Sequence, residues 1–231
     1  MSINYNNIFQ THKSIDYINS NPKLKFAVKS WLIHTNNFNY YFYDDNKCEQ
    51  YMKEIGGDIY KAYQKLPMKV MKADLWRYCI IYKYGGIYAD VDTICKINPK
   101  IFLNDALLTI VPENKTHLCQ WVFAAPPNSP ILKEVIDLSV KRILEINIIK
   151  GEHIIHFLTG PGVFTDGIEN YLVKNNSLVF PNNRKLYYKY PDHSKLRVFN
   201  CYNFHNNLVI HLYAGQDSDG WCKERKNKLL N

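Results

Sequence analysis

The stretch from Pro67 to Ile94 constrains the fold of this chain more than any other. Pro67 to Tyr84 carries apolar residues at helical spacing, with Pro67 suited to a first turn and Gly85-Gly86 to a C-terminal stop. Ile87 to Ile94 then reads as a strand. Two charged residues on the helix, Asp74 and Arg77, are three apart and so share one face. Two more, Asp90 and Asp92, flank Val91, and in a regular strand both carboxylates would leave from the same face. The glycine pair lets the chain turn sharply and brings the two carboxylates back towards the helix.

The rest of the chain alternates in the same manner. Strands are expected at Ile8–His12, Phe38–Tyr43, Ala106–Val111, Trp121–Ala125, Leu178–Phe180 and Leu208–Tyr213. Helices are expected from Pro22 to Thr35, in two short stretches divided by Gly56-Gly57, from Ile131 to Ile146, and from Val163 to Leu172 after a Thr159–Gly162 loop. Alternation of this kind indicates an α/β architecture. A length of 231 residues suits one sizeable domain or two small ones.

A formal net charge of +8 favours encounters with anions. The lysines are scattered, however, and no recognition helix, RNP or zinc-finger pattern is present, so nucleic acid is not an expected partner. The six cysteines form no C-x-x-C pair, and several lie in apolar runs such as Tyr78-Cys79-Ile80-Ile81, as reduced core thiols do. The first residues lack the basic start and apolar core of a signal peptide. No apolar run approaches the roughly 20 residues of a membrane helix. The expectation is a cytoplasmic protein without a membrane anchor.

Two carboxylates as close as Asp90 and Asp92 repel each other unless something neutralises them. A hard divalent cation, Mg²⁺ or Mn²⁺, does so, and completes its shell with substrate phosphate oxygens. A strand end with exposed carboxylates is the ordinary alternative, as a surface ion pair is for Asp74 and Arg77. The apolar setting of that helix favours a polar cleft instead.

These residues carry a resemblance. Ala73-Asp74-Leu75-Trp76-Arg77-Tyr78 with Tyr84-Gly85-Gly86-Ile87-Tyr88-Ala89-Asp90-Val91-Asp92 resembles the signature of family 32 glycosyltransferases, whose sugar-binding region contains a DXD motif. That family includes fungal initiating α-1,6-mannosyltransferases, and a related version occurs in the large clostridial glucosylating toxins. Ile8–Lys13, Gln120–Pro126, Thr159–Gly162 and His211 with Ser218 and Trp221 are similar to further family segments. Two departures stand out. His12 occupies the place of a usual Trp, and the closing Ser-Trp element is stretched to Asp217-Ser218-Asp219-Gly220-Trp221.

The resemblance implies one catalytic domain over residues 1–231, with a GT-A-type, Rossmann-like nucleotide-sugar-binding fold built on a mixed sheet flanked by helices. It implies hexose transfer from a UDP- or GDP-hexose to a glycan or protein hydroxyl, with retained configuration. Asp92, Asp90 and His211 would hold Mn²⁺ or Mg²⁺. Asp74, Arg77 and Asp90 would be catalytic and touch the donor. Gln10 and Thr11 would lie at the nucleotide end, and Tyr88, Gly160, Ser218 and Trp221 would also contact substrate. A metal-dependent phosphohydrolase using the same Asp pair, or a non-catalytic nucleotide-sugar-binding relative, is the alternative.

Overall fold

The computed structural model describes residues 5–33, 37–113, 116–175, 196–199, 207–213 and 221–230. The strand expected at Leu178–Phe180, and Ser218, lie outside the described residues. A six-stranded mixed sheet forms the frame, built from β1 (Asn7–Thr11), β2 (Asn39–Tyr43), β3 (Gly86–Ala89), β5 (Leu108–Ile110), β6 (Val122–Ala125) and β7 (Leu196–Val198). Its order is β2-β1-β3-β6-β5-β7. β1 pairs in parallel with β2 and β3, and β6 runs antiparallel to both β3 and β5. A separate antiparallel pair joins β4 (Thr93–Cys95) to β8 (Val209–His211).

Period-two alternation assigns the faces of the sheet. Phe9, Tyr88, Phe123 and Ala125 enter one apolar cluster, with Leu75, Ile136 and Phe164 from the helices. Ile8, Ile87, Ala89, Val122 and Ala124 enter a second cluster beneath Trp31. Helices α3 (Asp45–Ile55), α4 (Gly57–Lys65), α5 (Lys69–Tyr84), α6 (Pro130–Glu145), α7 (Ile154–Leu158) and α8 (Pro161–Lys174) supply the first layer. α2 (Pro22–Ile33), preceded by α1 (Ile15–Ser20), supplies the other and clamps β4. Trp31 Nε1 donates to the Thr93 oxygens at 3.0 Å, and Cys95 N–H donates to Ser30 Oγ at 2.9 Å. Among the described residues, no helix is long and apolar enough to cross a membrane. Cys48, Cys79, Cys95, Cys119 and Cys222 are free thiols.

Three expectations need correction. The strand expected from Ile87 to Ile94 is broken, because Asp90, Val91 and Asp92 form a turn between β3 and β4. Pairing with β6 ends as Asp90 N–H donates to Trp121 O (2.8 Å), and Thr93 N–H and Oγ1 then both close onto Asp90 O. The long helix starts at Lys69 rather than in a turn containing Pro67, since Met68, fully buried, is held extended at φ −119° and ψ 144°. Leu66, directly before Pro67, is extended too, as a pre-proline residue prefers. The helix expected from Val163 begins at Pro161, and α1 and α7 add two short helices.

Candidate active site

The carboxyl ends of β1, β3 and β5 and the start of β6 lie on one edge of the sheet, and the candidate residues gather there. α5 contributes Asp74 and Arg77 from one face, as their spacing requires. Both are buried, at 1% and 5% exposure, and Arg77 Nη2 sits 3.0 Å from Asp74 Oδ1. This is not a surface pair. Arg77 Nη1 reaches Asp90 Oδ1 at 3.3 Å and donates to Gln120 O at 3.1 Å, while the guanidinium lies 4.4 Å above the Tyr88 ring. Tyr88 in turn donates its hydroxyl hydrogen to Asp90 Oδ1. Arg77 therefore ties the helix to the β3–β4 turn.

Asp74 accepts from two further donors, Gln120 Nε2 at 3.2 Å and Thr159 Oγ1 at 3.0 Å. The Tyr78 hydroxyl shares its hydrogen between Gln120 Oε1 and Thr159 O, which closes the network. Burial pushes the Asp74 carboxyl up to about 7 against the opposing pull of Arg77, Thr159 and Gln120. For Asp90 the balance is reversed: burial opposes ionisation, but Arg77, then His211 and Tyr88, hold it below the usual carboxylate range.

The β4–β8 pair brings the distant His211 to the turn. Thr93 stands opposite His211, and Leu212 N–H donates to Asp92 O at 2.8 Å. His211 Nε2 lies 3.5 Å from Asp92 Oδ1 and 3.8 Å from Asp90 Oδ2. These separations exceed hydrogen-bond distance. They approach the spacing of neighbouring ligands on one cation, about 3 Å for metal–ligand bonds of roughly 2.1 Å. The three ligand atoms lie within 4.8 Å of one another, the donor set that would hold a divalent cation. Tyr213 N–H donates to His211 Nδ1 at 3.0 Å, so the neutral ring without a cation carries its hydrogen on Nε2, facing the carboxylates, and ligation through Nε2 would move that hydrogen to Nδ1 at the expense of the Tyr213 contact. The Trp121 and Tyr213 rings, 4.7 and 4.2 Å away, hold that imidazole in place.

The structure thus brings Asp74, Arg77, Tyr88, Asp90, Asp92 and His211 together. Gln10 is fully buried behind them, donating to Asp90 O at 3.2 Å and accepting from Tyr40 at 2.9 Å. Thr11 borders a cavity of about 110 Å³ with Asp45, Glu49, Lys69 and Lys72. Gly160 starts α8 against the His156 backbone, where a Cβ would come within 3.0 Å of His156 Cα. Trp221 opens a short helix, Trp221–Arg225, and its side chain lies outside the description. Gln120, Thr159 and Tyr78 join the network without belonging to the site residues that the sequence marks. Gln120 and Thr159 are polar residues beside apolar runs, a signal that was available, whereas nothing distinguishes Tyr78 from a core aromatic.

Residues 4–114 match the family described as a glycosyltransferase sugar-binding region containing a DXD motif. The chain is 27% identical over 223 residues to the initiation-specific α-1,6-mannosyltransferase of Candida albicans, covering 78% of this chain and 56% of that protein. It is 30% identical over 174 residues to the Schizosaccharomyces pombe protein of the same description, covering 63% and 44%. The chain spans about half the length of these curated relatives. Among solved structures, the PaToxG glycosyltransferase superposes with a TM-score of 0.53 at 18% identity, over 73% of this chain and 69% of that one. The shared fold is of the GT-A type.

Proposed function

We propose, from the match of residues 4–114 to the glycosyltransferase sugar-binding region containing a DXD motif, hexosyl transfer from a nucleotide diphosphate sugar to an acceptor hydroxyl. The observation that carries this reading is the meeting of Asp90, Asp92 and His211 beside the Arg77 guanidinium. Bound Mn²⁺ or Mg²⁺ would supply Lewis-acid stabilisation of the leaving diphosphate. Asp92 and His211 would hold the cation. Asp90 would face it through Oδ2, since Oδ1 is engaged by Arg77 and Tyr88.

Arg77 would meet the negative charge that develops on the diphosphate. Its partners hold it in position beforehand, so little reorganisation accompanies the reaction. Asp74 would act mainly by holding Arg77, and a sugar hydroxyl would reach it by displacing Gln120 or Thr159. Gln10 would support the turn from behind, and Thr11 would face the nucleotide end, where Lys69 and Lys72 lie. Gly160, Ser218 and Trp221 would complete the substrate contacts. Residues 1–231 would work as one catalytic domain, because β8 completes a site begun on α5 and β3.

The relatives described as mannosyltransferases favour mannose as the hexose and a glycan hydroxyl as acceptor. The test is a panel of UDP- and GDP-hexoses with Mn²⁺, read as nucleotide release and as a rise in Tm, since a ligand of the folded state stabilises it. Nucleotide release and stabilisation are expected with GDP-mannose, and Asp92→Asn is expected to remove both. Silence towards every donor would overturn the proposal. Transfer with retention is expected, and an inverted anomer in the NMR spectrum of the product would refute that part.

A further inference from the structure

Glu113 lies just past β5, on the sheet edge that carries the candidate site. Its backbone N–H donates to His117 O at 2.9 Å, which anchors the loop. Its side-chain Oε2 is buried and has no hydrogen-bond partner among the described residues. The side chain lies within electrostatic range of His211, Asp90 and Arg77, and Tyr78 and Cys119 also feel its charge. A buried carboxylate oxygen without a donor is costly to the folded protein, and such groups in native structures call for an explanation. No partner among the described residues explains this one, and a ligand would.

The strand order says which part of a ligand. Along the edge the order is β1, β3, β6, β5, so Thr11 and Glu113 stand on opposite sides of the Asp90–Asp92 turn. With the nucleotide on the Thr11 side and the diphosphate at the turn, the sugar extends towards Glu113. We infer that Glu113 is a substrate-binding residue whose carboxylate accepts a hydrogen bond from a sugar hydroxyl in the transfer site. The inference rests on the glycosyltransferase reading, and it adds a residue outside the DXD signature.

Glu113→Gln tests it, because the amide keeps the shape and removes the charge. In the ligand-free protein, a Tm equal to or above wild type is expected, since no structural hydrogen bond is lost. Transfer is expected to fall roughly tenfold or more, as for loss of a charged hydrogen bond to substrate. A parallel fall in acceptor-free nucleotide release, with a smaller donor-induced rise in Tm, assigns the hydroxyl to the donor sugar. Unchanged release with a raised acceptor KM assigns it to the acceptor. A Tm several degrees below wild type would show a structural anchor and overturn the inference, as would unchanged transfer. Wild-type protein inert to every donor would overturn the glycosyltransferase reading with it. Normal wild-type turnover with an indifferent Glu113→Gln would overturn this inference alone.

Discussion

Arg77 meets two carboxylates, a main-chain carbonyl and an aromatic face at once, and only a planar, multi-donor cation can do so. Arg77→Lys keeps the charge but cannot span Asp74, Asp90 and Gln120 together. A loss of about 3 kcal/mol in urea unfolding is expected, at the lower end of values for breaking a buried pair, and Tm unchanged from wild type would contradict the network. Thr159→Val keeps the shape and removes one donor to Asp74, so a smaller loss of about 1–2 kcal/mol is expected; no change would show that the Thr159 hydroxyl is idle. The Asp74–Arg77 relation was legible in the sequence because helical spacing alone sets it. Gln120 and Thr159 reach Asp74 from just before β6 and from the C-cap of α7, and a local pattern carries no record of such meetings.

At the scale of elements, the glycine pair works as its sequence suggests. Gly85 caps α5 at φ +65°, and Gly86 at φ +118° enters β3 with a Cβ position only 2.5 Å from Asn7 O. Gly86→Ala therefore strains the backbone and pushes β1 from β3. A loss of about 2–4 kcal/mol by chemical denaturation is expected from the combined strain and overpacking, and a neutral variant would contradict this geometry. The main strands and long helices were legible from periodicity. The break at Asp90 was not, because it depends on where a neighbouring strand stops: β3 leaves the sheet where β6 begins, and β4 then finds β8 far downstream. The five-residue α7, with no side-chain cap, has too little periodicity to announce itself, whereas Ser14 capping α1 through Tyr17 N–H was a signal available in the sequence.

On the scale of the whole molecule, one imidazole joins the two sheets electrostatically. Burial alone would lower the His211 pKa, but Asp90 and Asp92 outweigh it and hold it above the ordinary value of about 6.5. In cation-free protein the stabilising attraction of protonated His211 is fully present below that ordinary value. It is lost as pH rises through the raised one. Affinity for a cation at the proposed site runs the other way, because a ring that ligates through Nε2 keeps one proton, on Nδ1, and the imidazolium must first release its second. Calorimetric titration with Mn²⁺ should show weaker binding at about pH 6 than at about pH 8, with the difference reduced in His211→Ala. Equal affinities in the wild-type protein would remove His211 from the proposed cation site. Because β8 follows β7 in the chain, the order of synthesis has its own effect. The six strands of the main sheet are all made before His211, the third residue of the proposed cation site. The proposed cation site is therefore complete only once β8 has paired with β4, however early the main sheet has closed.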